Sequence, residues 1–138
     1  MLDKTFEFKR PFLRDADNRE FPIIEVRFLT AFGQWLRFPM LFDTGATDVV
    51  LRPRYARLFP VARRWESVST AGQSDSHKDV PIVDSQITLF GHVEGCEILL
   101  MDIPPHPLYA GLLGRSVFKV FGFGFWERAG ELYVTSQP

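Results

Sequence analysis

The chain has 138 residues, 46% of them hydrophobic and 14% aromatic, which is the length and apolar content of one domain (residues 1–138) with its own core. A formal net charge of −1 and a pI near 6.3 provide no overall field to attract nucleic acid or an acidic membrane surface, so neither is an expected partner. The lone Cys96 excludes an internal disulfide, no apolar run approaches the roughly 20 residues of a membrane-spanning helix, and MLDKTFEFKRPFL lacks the apolar core of a signal peptide; a soluble, cytoplasmic protein is expected.

Short apolar–polar alternations separated by Gly, Pro, Asn and Asp predict a mostly β domain with one or two short helices. Phe6 and Phe8 suggest a first strand, interrupted by Pro11 and by Asp15-Ala16-Asp17-Asn18. Ile24, Val26 and Phe28 then share one face of a strand, with Glu25 and Arg27 on the other. Ala31-Phe32-Gly33-Gln34 reads as the hairpin turn into a returning strand, Trp35 to Phe42, whose Leu36, Phe38, Met40 and Phe42 alternate inward.

Val49-Val50-Leu51 predicts a buried strand, and Pro53, well placed as a first helical residue, opens a short helix to Leu58. Residues 65–82 hold a polar centre, Thr70 to His77, between segments that can extend as a hairpin. Ile87–Phe90 and Glu97–Met101 are expected to pair across a Gly91–Gly95 connection, and Pro104-Pro105-His106-Pro107 stiffens the next loop. Leu112 and Leu113 re-enter the core, Arg115 to Val120 reads as a helix, and Phe121, Phe123 and Phe125 share a strand face opposite Gly122 and Gly124. Arg128-Ala129-Gly130 turns the chain into a last strand, Glu131 to Thr135.

Two stretches carry chemistry. Leu41-Phe42-Asp43-Thr44-Gly45-Ala46 delivers a carboxylate from the end of an apolar strand, and Gly111-Leu112-Leu113-Gly114-Arg115 is a second apolar strand that stops at a glycine. In this order the two motifs resemble those of the retropepsin family of homodimeric aspartic peptidases, over roughly residues 22 to 135. The resemblance implies a closed, barrel-like acid protease fold, a single lobe completed by dimerisation, with residues 1–21 as an N-terminal extension or edge strand. The terminal segments of two subunits would then share a sheet.

The resemblance also implies a mechanism. Hydrolysis of this kind needs two carboxylates close enough to share a proton, and this chain has one Asp-Thr-Gly, so a homodimer would bring Asp43 and its symmetry mate to one water. The ionised member takes the proton of the water and the protonated one polarises the scissile carbonyl of a peptide or protein substrate, without metal or cofactor. Gly45 lets the backbone approach and its amide hold the carboxylate, and Thr44 bonds across the twofold axis. A flap over residues 65–82 would offer backbone donors from Ala71 and Gly72. Leu41, Val50, Tyr109, Ala110 and Leu112 are the matching pocket positions, apolar walls for bulky side chains, with Asp48 a polar contact at their edge. Ala46 stands where several relatives carry a hydroxyl that favours the charged aspartate, so a pH optimum nearer neutral than that of a gastric-type enzyme is expected.

The sequence departs from the retroviral pattern at Thr47, where an acidic partner for the late arginine is usual; Asp48, one residue further on, is expected on the opposite face. The flap has the single Gly72 rather than a glycine-rich tip. A catalytically silent module of the same fold, holding an extended peptide, and a dimer self-blocked by its N-terminal segment are the competing readings. Elsewhere, His92 and Cys96 lack further ligands for a zinc site, and His77 and His106 accompany no serine or cysteine nucleophile motif. Arg52, Arg54, Arg57, Arg63 and Arg64 are expected to form a solvated basic surface, with docking of an acidic protein partner as the alternative.

Overall fold

The computed structural model describes residues 8–62, 64–69, 76–118 and 122–135. Near its start, β1 (Phe8–Pro11) is followed by a small hairpin of β2 (Leu13–Arg14) and β3 (Glu20–Phe21). The next elements are β4 (Ile23–Leu29), β5 (Trp35–Phe42) and β6 (Val49–Leu51), then a helix over Pro53–Leu58. That helix is 3-10 rather than α, with Pro53 at its start and no side-chain cap. The long hairpins β7 (Arg64–Ser69), β8 (Ser76–Leu89) and β9 (His92–Leu100) lead to β10 (Gly111–Leu113), the helix α1 (Arg115–Phe118), β11 (Gly122–Trp126) and β12 (Glu131–Thr135). The predicted helix thus begins at Arg115 as expected; its last residues and Phe121 lie outside the described residues.

Six strands close into a barrel in the order β4-β5-β10-β6-β9-β8, the ring being completed where Arg27 and Phe28 of β4 pair with Thr88 and Ile87 of β8. β7 extends the sheet from β8, and a separate antiparallel sheet runs β1-β12-β11. The alternation read from the sequence is what fills the barrel: Val26, Phe28, Phe38, Met40, Leu51, Ile98 and Leu113 are all nearly inaccessible. Each such side chain contributes about 1.5–3 kcal/mol through removal from water. Leu132 and Val134 of β12 join the same core, so the three-stranded sheet is tied to the barrel by shared packing.

The β8–β9 hairpin corrects the sequence reading. Ile87 pairs with Glu94 and Leu89 with His92, while Glu97 lies opposite Asp84, so His92–Gly95 of the expected connection are strand. The turn is only Phe90-Gly91, both at positive φ (48° and 82°). A two-residue hairpin turn needs that conformation, and phenylalanine at its first position gives none of the usual Asn-Gly signal. The expected turn at Ala31–Gln34 is present, with the Thr30 hydroxyl accepting from the backbone N–H groups of Phe32 and Gln34.

Candidate active site

β5 ends at Phe42, and the chain turns sharply: the Ala46 N–H donates to the Asp43 carbonyl at 3.1 Å. Within this turn the Gly45 N–H donates to Asp43 Oδ1 at 2.9 Å, which tethers the carboxylate to the loop. Asp43 is half-buried, Thr44 and Gly45 are exposed and Ala46 is half-buried, so the carboxylate stands at an accessible edge of the barrel.

The second motif holds the first in place. β10 runs parallel to β5 and antiparallel to β6, wedged between them, and the Asp43 N–H donates to the Leu113 carbonyl at 3.0 Å. Beyond it the Arg115 N–H donates to Ala46 O and the Ser116 N–H to Thr47 O, each at 2.9 Å. Gly114 lies flat against this loop, where a Cβ would sit 2.4 Å from the Asp48 carbonyl oxygen and 2.8 Å from that of Ala46. Residues 43–48 and 113–116 thus form one hydrogen-bonded unit from segments far apart in sequence.

Arg115 Nη2 donates to the Thr47 hydroxyl at 3.2 Å. The residue at the usual acidic position therefore still meets the arginine, but as a neutral acceptor. Asp48 does not replace it; it lines an open groove of about 540 Å³ with Asp84, Cys96, Glu97, Ser116 and Val117, away from the apolar pocket positions.

Those positions are brought together in part. Cross-strand register aligns Ile23, Leu41, Leu112, Val50, Leu99 and Ile82 in one row across all six barrel strands, on the face opposite the core. Val50, Leu99 and Ile82 are buried there with Val80 and Met101, and Val68 and Leu112 pack against them. Leu41 and Leu112, half-buried, are the accessible members nearest Asp43. Ala110 instead sits in the main core, and Tyr109 stacks on His106 at 4.5 Å beside Phe21. Ala71 and Gly72 lie outside the described residues; β7 and β8, on either side of them in sequence, are paired antiparallel with a register shift between Glu66 and Val68.

Two solved structures share this architecture. A retropepsin-like aspartic protease from Rickettsia conorii matches with a TM-score of 0.60 at 16% identity, over 97% of this chain and 96% of that one. The EIAV protease, solved with the inhibitor HBY-793, matches with a TM-score of 0.53 at 23% identity, over 76% of this chain and 91% of that one. The chain has the retropepsin-like fold. No protein-family model and no curated relative matches the sequence.

Within this retropepsin-like fold, one arginine has a role the sequence did not reveal. Arg52, expected at a solvated surface, donates from Nη1 to the Tyr109 carbonyl (2.6 Å) and from Nη2 to that of Pro104 (2.9 Å), clamping the loop that leads into β10. Arg54 donates to the Tyr55 hydroxyl, and Arg64 pairs with Glu97 and Glu66; Arg63 lies outside the described residues. The same loop is anchored from the other side. His106 Nδ1 accepts the Leu108 N–H, and Nε2 faces the Asp15 carboxylate at 4.0 Å.

The backbone N–H of Arg19 does most to hold the Asp15 carboxyl below its ordinary value, outweighing burial; the Arg19 guanidinium, the Asp17 N–H and His106 add to it. A depressed value means that the charged form stabilises the fold above the ordinary carboxylate range, and that this is lost as pH falls through the folded-state value. Asp15→Asn is therefore expected to lower the urea midpoint at neutral pH and to converge with the parent protein in acid.

Among the described residues, no group of three or more His, Cys, Asp and Glu side chains could hold a metal ion. Burial, reinforced by Asp84 and Glu97, pushes the Cys96 thiol up to about 12. At mildly alkaline pH the folded protein should react with iodoacetamide at least roughly a hundredfold more slowly than the unfolded chain, because only the thiolate attacks. Equal labelling rates would contradict this placement. No helix among the described residues is long and apolar enough to cross a membrane.

Proposed function

We propose that the protein is an aspartic endopeptidase that cleaves peptide bonds as a homodimer, with Asp43 of each subunit flanking one water. The observation that carries this reading is the accessible Asp43 carboxylate, held by the Gly45 amide in a loop braced by the Gly114–Arg115 segment. The retropepsin-like fold supports it, since both solved structures named above are proteases.

One carboxylate can take a proton from water but cannot at the same moment donate one to the carbonyl oxygen. Two carboxylates at close range share a single proton because both cannot ionise together, which supplies base and acid in one site. Thr44 and Gly45, exposed beside Asp43, are the groups this reading places at the twofold axis. Water attacks the carbonyl carbon, the proton passes to the leaving nitrogen, and two peptides depart without a covalent intermediate.

The β7–β8 hairpin is the flap in this proposal, with Ala71 and Gly72 offering backbone donors to the substrate chain. Leu41, Leu112 and Val50 form the apolar wall for substrate side chains, and Ala46 completes the floor beside Asp43. Ala110 and Tyr109 act behind this wall, Ala110 from the core and Tyr109 through the loop that Arg52 clamps.

The test is a diverse peptide library incubated with the protein and read by mass spectrometry. New termini next to bulky apolar residues are expected, and a statine-type transition-state mimic should suppress them. A library left intact at every pH from acid to neutral would contradict the proposal.

A further inference from the structure

Arg27 of β4 and Arg37 of β5 are directly opposite each other in antiparallel register, and both are exposed. Like charges so placed repel, and opposing pairs are normally complementary. Neither residue has an ion-pair partner among the described residues, whereas Arg14, Arg19 and Arg64 are each paired with carboxylates. No ion pair among the described residues therefore offsets this like-charge juxtaposition.

The two guanidinium groups line an open groove of about 610 Å³ between β1 and the outer face of β4. Arg10 adds a third cation from the far wall, its guanidinium 4.9 Å over the Phe90 ring. Pro11, Leu13, Ile23 and Pro39 supply apolar walls. β4 pairs with β5 along its whole length, but on its other edge it meets β8 only at Arg27 and Phe28. Among the described residues, no strand pairs with Ile23–Val26 on the edge facing away from β5.

We propose that this groove is an exosite for an extended acidic peptide segment, separate from the cleft at Asp43. The free edge of β4 would pair with the peptide backbone, as in strand addition. Arg27, Arg37 and Arg10 would receive its carboxylates, removing the repulsion between the opposed arginines. Glu25, which lines the same groove, and the short extent of the positive charge favour spaced carboxylates over the continuous phosphates of a nucleic acid.

The experiment uses the full chain carrying Asp43→Asn, so that hydrolysis neither depletes the probe nor enters the result. Fluorescence anisotropy would follow a labelled peptide of alternating Glu and Val, a matched peptide of Lys and Val, and a single-stranded oligonucleotide. Saturable, salt-sensitive binding of the acidic peptide is expected, and R27Q/R37Q should weaken it by roughly tenfold or more. The same double variant should keep or raise the thermal midpoint, since it removes a like-charge pair. Three results would overturn the assignment: equal binding of acidic and basic peptides, binding unchanged in R27Q/R37Q, or displacement of the acidic peptide by a statine-type cleft ligand. Tighter binding of the oligonucleotide than of the acidic peptide would equally reject it.

Discussion

Asp43→Asn is expected to lower peptide hydrolysis by at least roughly a thousandfold while leaving the fold intact, because an amide can neither take a proton from water nor share one with a second carboxylate. The substitution is nearly isosteric. Its side-chain oxygen can still accept the Gly45 N–H that now meets Oδ1 at 2.9 Å, and the Asp43 N–H bond to Leu113 O involves only backbone. Stability should therefore change little, so lost activity can be read as lost chemistry. Initial rates on a fluorogenic peptide, with a urea titration of the same sample, check both halves. Activity within tenfold of the parent protein would remove Asp43 from the reaction.

Gly114→Ala is expected to damage both stability and activity. The added Cβ would lie 2.4 Å from the Asp48 carbonyl oxygen, 2.7 Å from the Asp48 nitrogen and 2.8 Å from the Ala46 carbonyl oxygen. All three atoms are backbone, so no side chain can swing aside. Relief requires the 46–48 segment to move away from β10, which breaks the bonds from Arg115 N–H to Ala46 O and from Ser116 N–H to Thr47 O. A loss of about 3 kcal/mol follows from overpacking plus the two broken backbone bonds. What remains folded should cleave poorly, because the loop that moves also carries Asp43. Urea unfolding within a few tenths of a kcal/mol of the parent protein would contradict the close approach.

Much of this geometry was legible in the sequence, for identifiable reasons. Strict alternation in Ile24–Phe28 and Leu36–Phe42 fixed which face of β4 and β5 enters the core, since a strand buried on one side admits little else. Alternation predicted the mostly β class, and the resemblance of the Asp-Thr-Gly and Leu-Leu-Gly-Arg stretches to retropepsins implied its closed form; in the structure the two stretches meet through backbone, as the Gly114 approach shows. The β8–β9 turn was not legible, because Phe90 occupies a position where local chemistry favours asparagine. Arg52 was missed for a different reason: its acceptors, Pro104 O and Tyr109 O, are backbone atoms more than fifty residues away, and no residue type announces them.

Asp48 and Thr47 show the limit of pattern matching at the site itself. Spacing indicated that Asp48 would face away from Arg115, and it does line another groove. Nothing in the spacing indicated that the Thr47 hydroxyl would meet the guanidinium. A neutral hydroxyl leaves the arginine charge less compensated than a carboxylate would, because bonds between two charged groups are the stronger kind.

Mixing tests directly whether two chains each contribute one Asp43 to a single site. Parent protein and Asp43→Asn protein are combined at constant total concentration, allowed to exchange subunits, and assayed for initial rate. If only sites with two carboxylates cut, the rate falls as the square of the parent fraction, to about a quarter at equal amounts. A linear fall, to about half at equal amounts, would mean that each chain acts alone and that the shared site does not exist.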